Sequence, residues 1–212
     1  MTPQPLLALD LGATKVACAV GMPSESGPGY ELLGSSLIPY PAASDVWLGD
    51  PLLMSRVIEH AVEAAAVAHE FHRAIIGIHP PALTSEHVRV SIPLADEPVS
   101  VRTQDLKRLE TGALHQVLAI DREPLLVERL GCSGNGFDGV RDPRGLTATR
   151  LSGVFHVVAM PVAARRAGVQ TVESAGLEAA QLAYTLPAML AGGSADTTRS
   201  RGSHRQLYEA FK

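Results

Sequence analysis

LALDLGATKVACAVG, Leu7 to Gly21, holds two apolar runs joined by a short polar turn. Leu6 to Leu11 (LLALDL) reads as a buried strand and Lys15 to Val20 (KVACAV) as its partner, with Gly12, Ala13 and Thr14 as the tight connection. The first strand delivers Asp10 to its end, and the turn presents backbone N–H groups around Gly12 to Lys15. Glycine lets the main chain approach a phosphate closely, while Thr14 and Lys15 add a hydroxyl donor and a positive charge. Asp10 and a phosphate are both anions. The useful role for Asp10 is therefore to hold water in the shell of a magnesium ion, which keeps several waters when bound. A plain hairpin with Asp10 capping a glycine turn fits the same spacing, and spacing alone leaves both readings open. The Walker spacing G-x-x-x-x-G-K-[ST] is absent.

Outward from this stretch, a Ser/Gly/Pro loop (PSESGPG) leads to a third strand around Glu31 to Ile38, making an antiparallel meander. A helix starts at Pro51, with Asp50 as its cap and proline at the first helical position. Leu53, Val57, Ile58, Ala61, Val62 and Ala65 give it one apolar face, and the pattern carries it to about Phe71. Ala74 to Ile78 (AIIGI) is wholly apolar, which suits a parallel strand in the centre of a sheet. His79-Pro80-Pro81 breaks the pattern and marks a domain boundary. Beyond it, His87 to Pro93 reads as a strand, Thr103 to Gly112 as a short helix, Pro124 to Leu130 as a strand and Thr149 to Met160 as a long closing strand. Pro161 to Ala175 is helical with Gly176 as its stop, and Leu177 to Leu186 holds one further strand or helix start. After Leu190 the sequence turns polar and glycine-rich without a period, which reads as a loose tail. The fold class is α/β.

With 212 residues the chain can bury about 70% of its unfolded surface. Its 46% hydrophobic and 19% charged residues give a globular rather than a disordered balance. A net charge of -4, from 18 basic and 22 acidic residues, points away from nucleic acid as a partner. Two cysteines, Cys18 and Cys132, are too few for a disulfide framework and suit a reducing cytoplasm. Asp10 and Lys15 interrupt the first apolar run, so no secretory signal is read there. No segment approaches the ~20 apolar residues that cross a bilayer, so membrane contact is expected to be peripheral at most.

LDLGATKVACAVG resembles the first phosphate motif of the actin, sugar-kinase and heat-shock ATPase superfamily. Within that group it is most similar to FtsA of bacterial cell division, where D-[IL]-G-[ST]-[ST]-K-V is typical. GFDGVRDPRGLTATRLSGVFHVV, Gly136 to Val158, is similar to the G-[IV]-x-[DN]-P-x-G-[ML]-x-G-x-R-L stretch that ends the family's inserted subdomain. Val172-Glu173-x-Ala175-Gly176-Leu177 is similar to its V-E-x-[AC]-G-[LY] helix end. The three occur in family order across about Leu6 to Leu190. The resemblance implies an actin-like (ribonuclease H-like) first subdomain from residues 1–80 and 161–190. Between them it implies an inserted strand–helix–strand–strand module, residues 81–160, with 191–212 as a flexible tail.

The sequence also departs from the family. Gly77-Ile78-His79-Pro80-Pro81 stands where an S-G-x-H segment is usual, and Gly131-Cys132-Ser133-Gly134 where I-P-x-x-[YF] precedes a loop. The second phosphate motif, D-x-G-x-G-[TS], is missing, as are the adenosine segment and the membrane-binding tail. Gly192 to Thr198 has similar residue types to that motif in the wrong order.

The resemblance therefore implies ATP and Mg at a partial site of Asp10, Gly12, Ala13, Thr14 and Lys15, with no catalytic residue and no ATPase activity by this chain alone. It implies a truncated or divergent FtsA-like protein acting as an interaction module at the division site, in the cytoplasm at the inner face of the membrane. Its partners would be division-site proteins or further copies of itself. The tubulin-like FtsZ tail binds the family's other half, so direct FtsZ binding is not expected. The alternatives are a small-molecule kinase fragment of the sugar-kinase branch, which also opens D-[LI]-G-[GA]-T-K, one half of a split protein, or a gene remnant. PilM-type pilus relatives are a neighbouring option.

Asp142-Pro143-Arg144-Gly145 has the residue order of a type I turn, and Asp142 and Arg144 are candidate partner contacts because the family uses this subdomain in filament contacts. His69-Glu70-Phe71-His72 places its histidines three apart rather than the four of a zinc helix, which reads as a solvated helix end. Cys132 is expected in a loop without a histidine to activate it. SHRQLYEAFK at the end is too short for strong membrane binding. The first subdomain is expected to expose apolar surface and self-associate.

Overall fold

In the computed structural model the described residues are 4–24, 29–40, 48, 50–65 and 68–185. Along the chain run β1 (Leu6–Leu11), β2 (Lys15–Pro23), β3 (Tyr30–Pro39), α1 (Pro51–Ala64), β4 (Arg73–Ile78), β5 (Thr84–Pro93) and β6 (Val99–Ser100). There follow α2 (Thr103–Val117), β7 (Arg122–Gly134), β8 (Phe137–Val140), β9 (Thr147–Ala148), β10 (Arg150–Pro161), α3 (Val162–Ser174) and β11 (Glu178–Tyr184). They divide into two units, Met1–Pro81 with Ala163–Lys212, and Ala82–Val162.

The first unit is built on a five-stranded sheet in the order β11-β4-β1-β2-β3. Alternation in LLALDL and KVACAV sets the register: Leu11 faces Val16, Leu9 faces Cys18 and Leu7 faces Val20, all buried. β4 lies between β1 and β11 and parallel to both, an inner position that suits its unbroken apolar run, although the middle strand of the five is β1. Its Ala74, Ile76 and Ile78 join the same buried layer. α1 covers β2 and β3 with Met54, Val57, Ile58 and Ala61, and Ser36 of β3 donates to the Ala61 carbonyl. Each large aliphatic side chain buried in such a layer contributes about 1.5–3 kcal/mol. The Asp50 carboxylate accepts from the Leu52 and Leu53 N–H groups at 3.1 and 3.0 Å, so the cap forms as the sequence predicts.

α1 is shorter than its pattern suggests. It ends at Ala64, and His69 and Phe71 lie beyond it with their rings edge to face at 4.8 Å. The buried stripe is exhausted at Ala61 and Ala65, and by His72 the chain has joined the sheet, its carbonyl accepting from Glu178 N–H at 2.8 Å. α3 does stop at Gly176, whose φ of +76° lets its N–H reach the Glu173 carbonyl and Leu177 N–H reach Val172. Of the stretch expected to hold one further strand or helix start, Glu178–Tyr184 form the strand β11. The expected tail, 191–212, with the Gly192 to Thr198 stretch and SHRQLYEAFK, lies outside the described residues.

The second unit has a four-stranded antiparallel sheet, β5-β10-β7-β8, and a small β6–β9 ribbon. Its core gathers Val90, Leu106, Leu109, Ala113, Leu151, Phe155 and Val157 between α2 and the sheet. The strand–helix–strand–strand frame is β5-α2-β7-β10, with β6, β8 and β9 as additions. Two expectations fail for a common reason. α2 runs through Gly112 to Val117, because that glycine serves close packing: a Cβ there would meet Val90 at 2.9 Å. β7 runs on through Gly131 to Gly134, where a Cβ on Gly134 would meet the Phe137 ring at 2.5 Å. Cys132 is thus buried in a strand rather than set in a loop, and burial pushes its thiol pKa up.

Candidate functional site

Asp10 is the penultimate residue of β1, opposite Ala17 on β2 and Gly77 on β4. Its Oδ1 accepts from the Thr185 hydroxyl at 2.9 Å, which ties β1 to the end of β11 across the intervening β4. The tie passes over Gly77, where a Cβ would come within 3.1 Å of Thr185 Oγ1 and 3.2 Å of Asp10 Oδ1. A carboxylate can accept about four hydrogen bonds, so one bond leaves Asp10 capacity for water.

The turn after Asp10 is closed from inside. Gly12 N–H donates to the Lys15 carbonyl at 3.1 Å, and a Cβ on Gly12 would lie 2.9 Å from that oxygen. Tyr40, just past β3, braces the turn twice: its N–H donates to Thr14 C=O at 2.9 Å and its hydroxyl to Gly12 C=O at 2.6 Å. Burial pushes the Tyr40 hydroxyl above its ordinary pKa, so it stays protonated as a donor. Ala13, Thr14 and Lys15 remain exposed at the tip. The structure therefore brings a recessed carboxylate, a hydroxyl and a cation to one end of the sheet. These residues fit one side of a phosphate with its hydrated magnesium, which would supply charge neutralisation when bound: Lys15 and Thr14 would meet the phosphate, and Asp10 would hold a water.

The open face of this sheet, away from α1, is lined by small side chains. Ala8, Ala17, Ala19, Ile75, Gly77 and Ala183 border a hollow of about 270 Å³ with Asp10 and Thr185 at one end. Gly77, Thr185 and Tyr40 belong to the site and were not read from the sequence. Thr185 stands 175 residues from Asp10, and only the parallel β1-β4-β11 order brings them together.

Asp142 and Arg144 lie in the second unit as a self-contained pair. Arg144 Nε and Nη2 grip the carboxylate at 2.8 and 2.6 Å. The guanidinium holds the Asp142 carboxyl down at about 2, and the carboxylate raises the Arg144 pKa in turn. The turn itself is displaced from the one expected. Leu146 N–H donates to Pro143 C=O at 3.0 Å with Gly145 at φ +86°, the positive φ that a type II turn needs at its third residue. Gly145 N–H instead joins Val101 C=O at 3.1 Å, so pairing with the segment before α2 decides where the turn falls. Among the described residues no helix is long and apolar enough to cross a membrane.

Residues 81–159 match the family model described as the SHS2 domain inserted in FTSA. The chain is similar in structure to a chain of the PilM-PilN type IV pilus biogenesis complex, with a TM-score of 0.61 and 14% identity. That likeness covers 90% of this chain and 50% of the solved one, so this chain spans half the length of the relative it matches. No curated protein matches the sequence. At this identity the second likeness is one of fold, and it is not confined to the insert, since it covers 90% of the chain. Residues 81–159 are thus an SHS2 domain of the kind inserted in FtsA, carried on an α/β subdomain of the actin-like fold.

Proposed function

We propose that this chain is a protein-contact module of the bacterial division machinery that carries one wall of an ATP site. The observation that carries the reading is the SHS2 insert of the FtsA type, set between β4 and α3 of an actin-like sheet. That insert favours a division protein over the sugar-kinase branch. The solved relative is a complex of PilM with PilN, which supports protein contact as the use of such a fold. A pilus-type role is the second reading, favoured by the same likeness over 90% of the chain.

The nucleotide side of the proposal rests on Asp10, Thr14 and Lys15, which all sit on one turn at one end of one sheet. Hydrolysis needs the metal, the phosphates and an attacking water fixed together, and one turn holds them from one side only. The chain is therefore proposed to bind Mg·ATP weakly and not to turn it over alone.

Affinity capture of the tagged chain from a bacterial lysate, with candidate division and pilus-assembly proteins probed by name, tests the contact role. Capture of division proteins supports the first reading and capture of pilus proteins the second, while capture of neither overturns both. Calorimetric titration with Mg·ATP, with Asp10→Ala as control, tests the half-site. Multiple turnovers of phosphate release that depend on Asp10 would refute the proposed lack of ATPase activity.

A further inference from the structure

β3, YELLGSSLIP, is the last strand of its sheet, and among the described residues nothing pairs with its outer edge. Proteins blunt such edges with charge, proline, short length or bulges, because the unpaired N–H and C=O groups template another strand. β3 carries a charge, a proline and a bulge, but all three lie outside its Gly34–Ile38 stretch. It is ten residues long, its one charge is Glu31, and its one proline is the final residue, Pro39. From Gly34 to Pro39 it pairs with β2 in unbroken register, and the irregularity is confined to Leu33, between Leu32 opposite Gly21 and Gly34 opposite Val20. It is also apolar where it meets water, with Leu32, Leu33 and Leu37 exposed at 63%, 42% and 56%.

We infer that β3 pairs antiparallel with β3 of a second copy of this chain, about a two-fold axis at Ser35. An antiparallel pair of identical strands is self-complementary and needs no matching partner sequence. With Ser35 on the axis, residues whose numbers sum to seventy face each other. Leu33 of each copy then stands opposite Leu37 of the other, two leucine pairs flanking a serine pair. Glu31 falls opposite Pro39, so no like charges meet. Ser35 and Leu37 pair with Ala19 and Ala17 across β2, on the open face of the sheet, so Leu37 of each copy would extend that face into the next. A single pair of strand edges covers less than the ~1,200 Å² of a standard interface, so the dimer is weak and concentration-dependent. This deepens the contact-module reading by naming one partner, but it requires no division or pilus protein.

The test is a cysteine placed on the axis of the full chain. Facing residues in an antiparallel pair have Cα atoms ~4.5–5.5 Å apart, within disulfide reach. The native Cys18 and Cys132 are both buried and do not compete. Ser35→Cys is expected to yield a disulfide dimer under mild oxidation, whereas Glu97→Cys, exposed in the other unit, is not. Adding Leu37→Lys, an exposed change that should leave the circular dichroism spectrum intact, is expected to abolish the crosslink. Leu37→Lys alone should return sedimentation from a dimer–monomer mixture to monomer. A wild type that is monomeric at its highest soluble concentration overturns the inference. So does a dimer that survives Leu37→Lys without crosslinking at Ser35→Cys. If division or pilus proteins are captured and the crosslink fails, only the β3 interface is refuted. If the crosslink forms and nothing is captured, the contact-module reading fails and the interface stands.

Discussion

Replacing Gly77 by alanine separates two pictures of the Asp10 end of the sheet by the sign of a stability change. In open space a strand glycine costs roughly 0.5–1 kcal/mol relative to alanine, so Gly77→Ala would stabilise β4. The structure gives the opposite expectation. The new Cβ would lie 3.1 Å from Thr185 Oγ1 and 3.2 Å from Asp10 Oδ1, pressed against both atoms of a 2.9 Å hydrogen bond. Both must retreat by a few tenths of an ångström, which weakens a bond to a charged group worth about 1.5–3 kcal/mol. Set against the propensity gain, the net expected loss is about 1–2 kcal/mol. Native-state hydrogen exchange of the β1, β4 and β11 amides is the assay, because it reports this unit separately from the insert. Thr185→Ala removes the hydroxyl first, and in that background Gly77→Ala should cost little, giving a coupling of about 1 kcal/mol or more. Stabilisation by Gly77→Ala would falsify the reasoning, as would an equal loss in both backgrounds.

Asp50→Ala removes the acceptor for Leu52 and Leu53 N–H and should cost α1 about 1 kcal/mol, whereas Asp50→Asn keeps most of the cap; exchange rates of the first-turn amides check this. The Cys18 thiol, raised by burial to about 11, stays neutral near pH 8, so alkylation should be far slower than for a free cysteine. Because its folded pKa lies above the ordinary 9.0, its contribution to stability is complete below pH 9 and is lost as pH rises toward 11, which urea unfolding across that window would show. Asp142, held at about 2 by Arg144, should remain ionised at pH 3.5, and Arg144→Ala should return its NMR titration to the ordinary carboxylate range. Its depressed pKa gives the opposite sign to Cys18: any stabilisation is present above pH 3.8 and is lost as pH falls through 2.

The elements most legible in the sequence were those whose side chains carry their own instruction. LLALDL and KVACAV alternate cleanly, Asp50-Pro51 is a local cap, and AIIGI has no polar residue to expose, so the meander, the start of α1 and the parallel, two-sided pairing of β4 are legible. Glycines misled where their purpose was tertiary. Gly112 looked like a helix stop and Gly131 to Gly134 like a loop, yet Gly112 admits Val90 and Gly134 admits the Phe137 ring. No local pattern distinguishes a glycine that breaks an element from one that lets another approach. The candidate site was half legible for the same reason. Asp10, Gly12, Thr14 and Lys15 lie on one turn, while Thr185 and Tyr40 reach them only through strand order, and Gly77 reads locally as a departure from a motif rather than as the space beneath a hydrogen bond.

The SHS2 insert begins and finishes on neighbouring strands: Thr84 of β5 and Ala159 of β10 face each other across one antiparallel pair. Facing residues in such a pair lie about 5 Å apart, so the two cuts at which the module could be lifted from the chain nearly coincide. A few glycines would rejoin them, at a closure entropy that grows only slowly with length. Portability follows from that geometry. Such a module can be deleted, exchanged for a homologous one or grafted into another host without asking the surrounding sheet to stretch, which makes the actin-like subdomain and its insert separable objects for engineering.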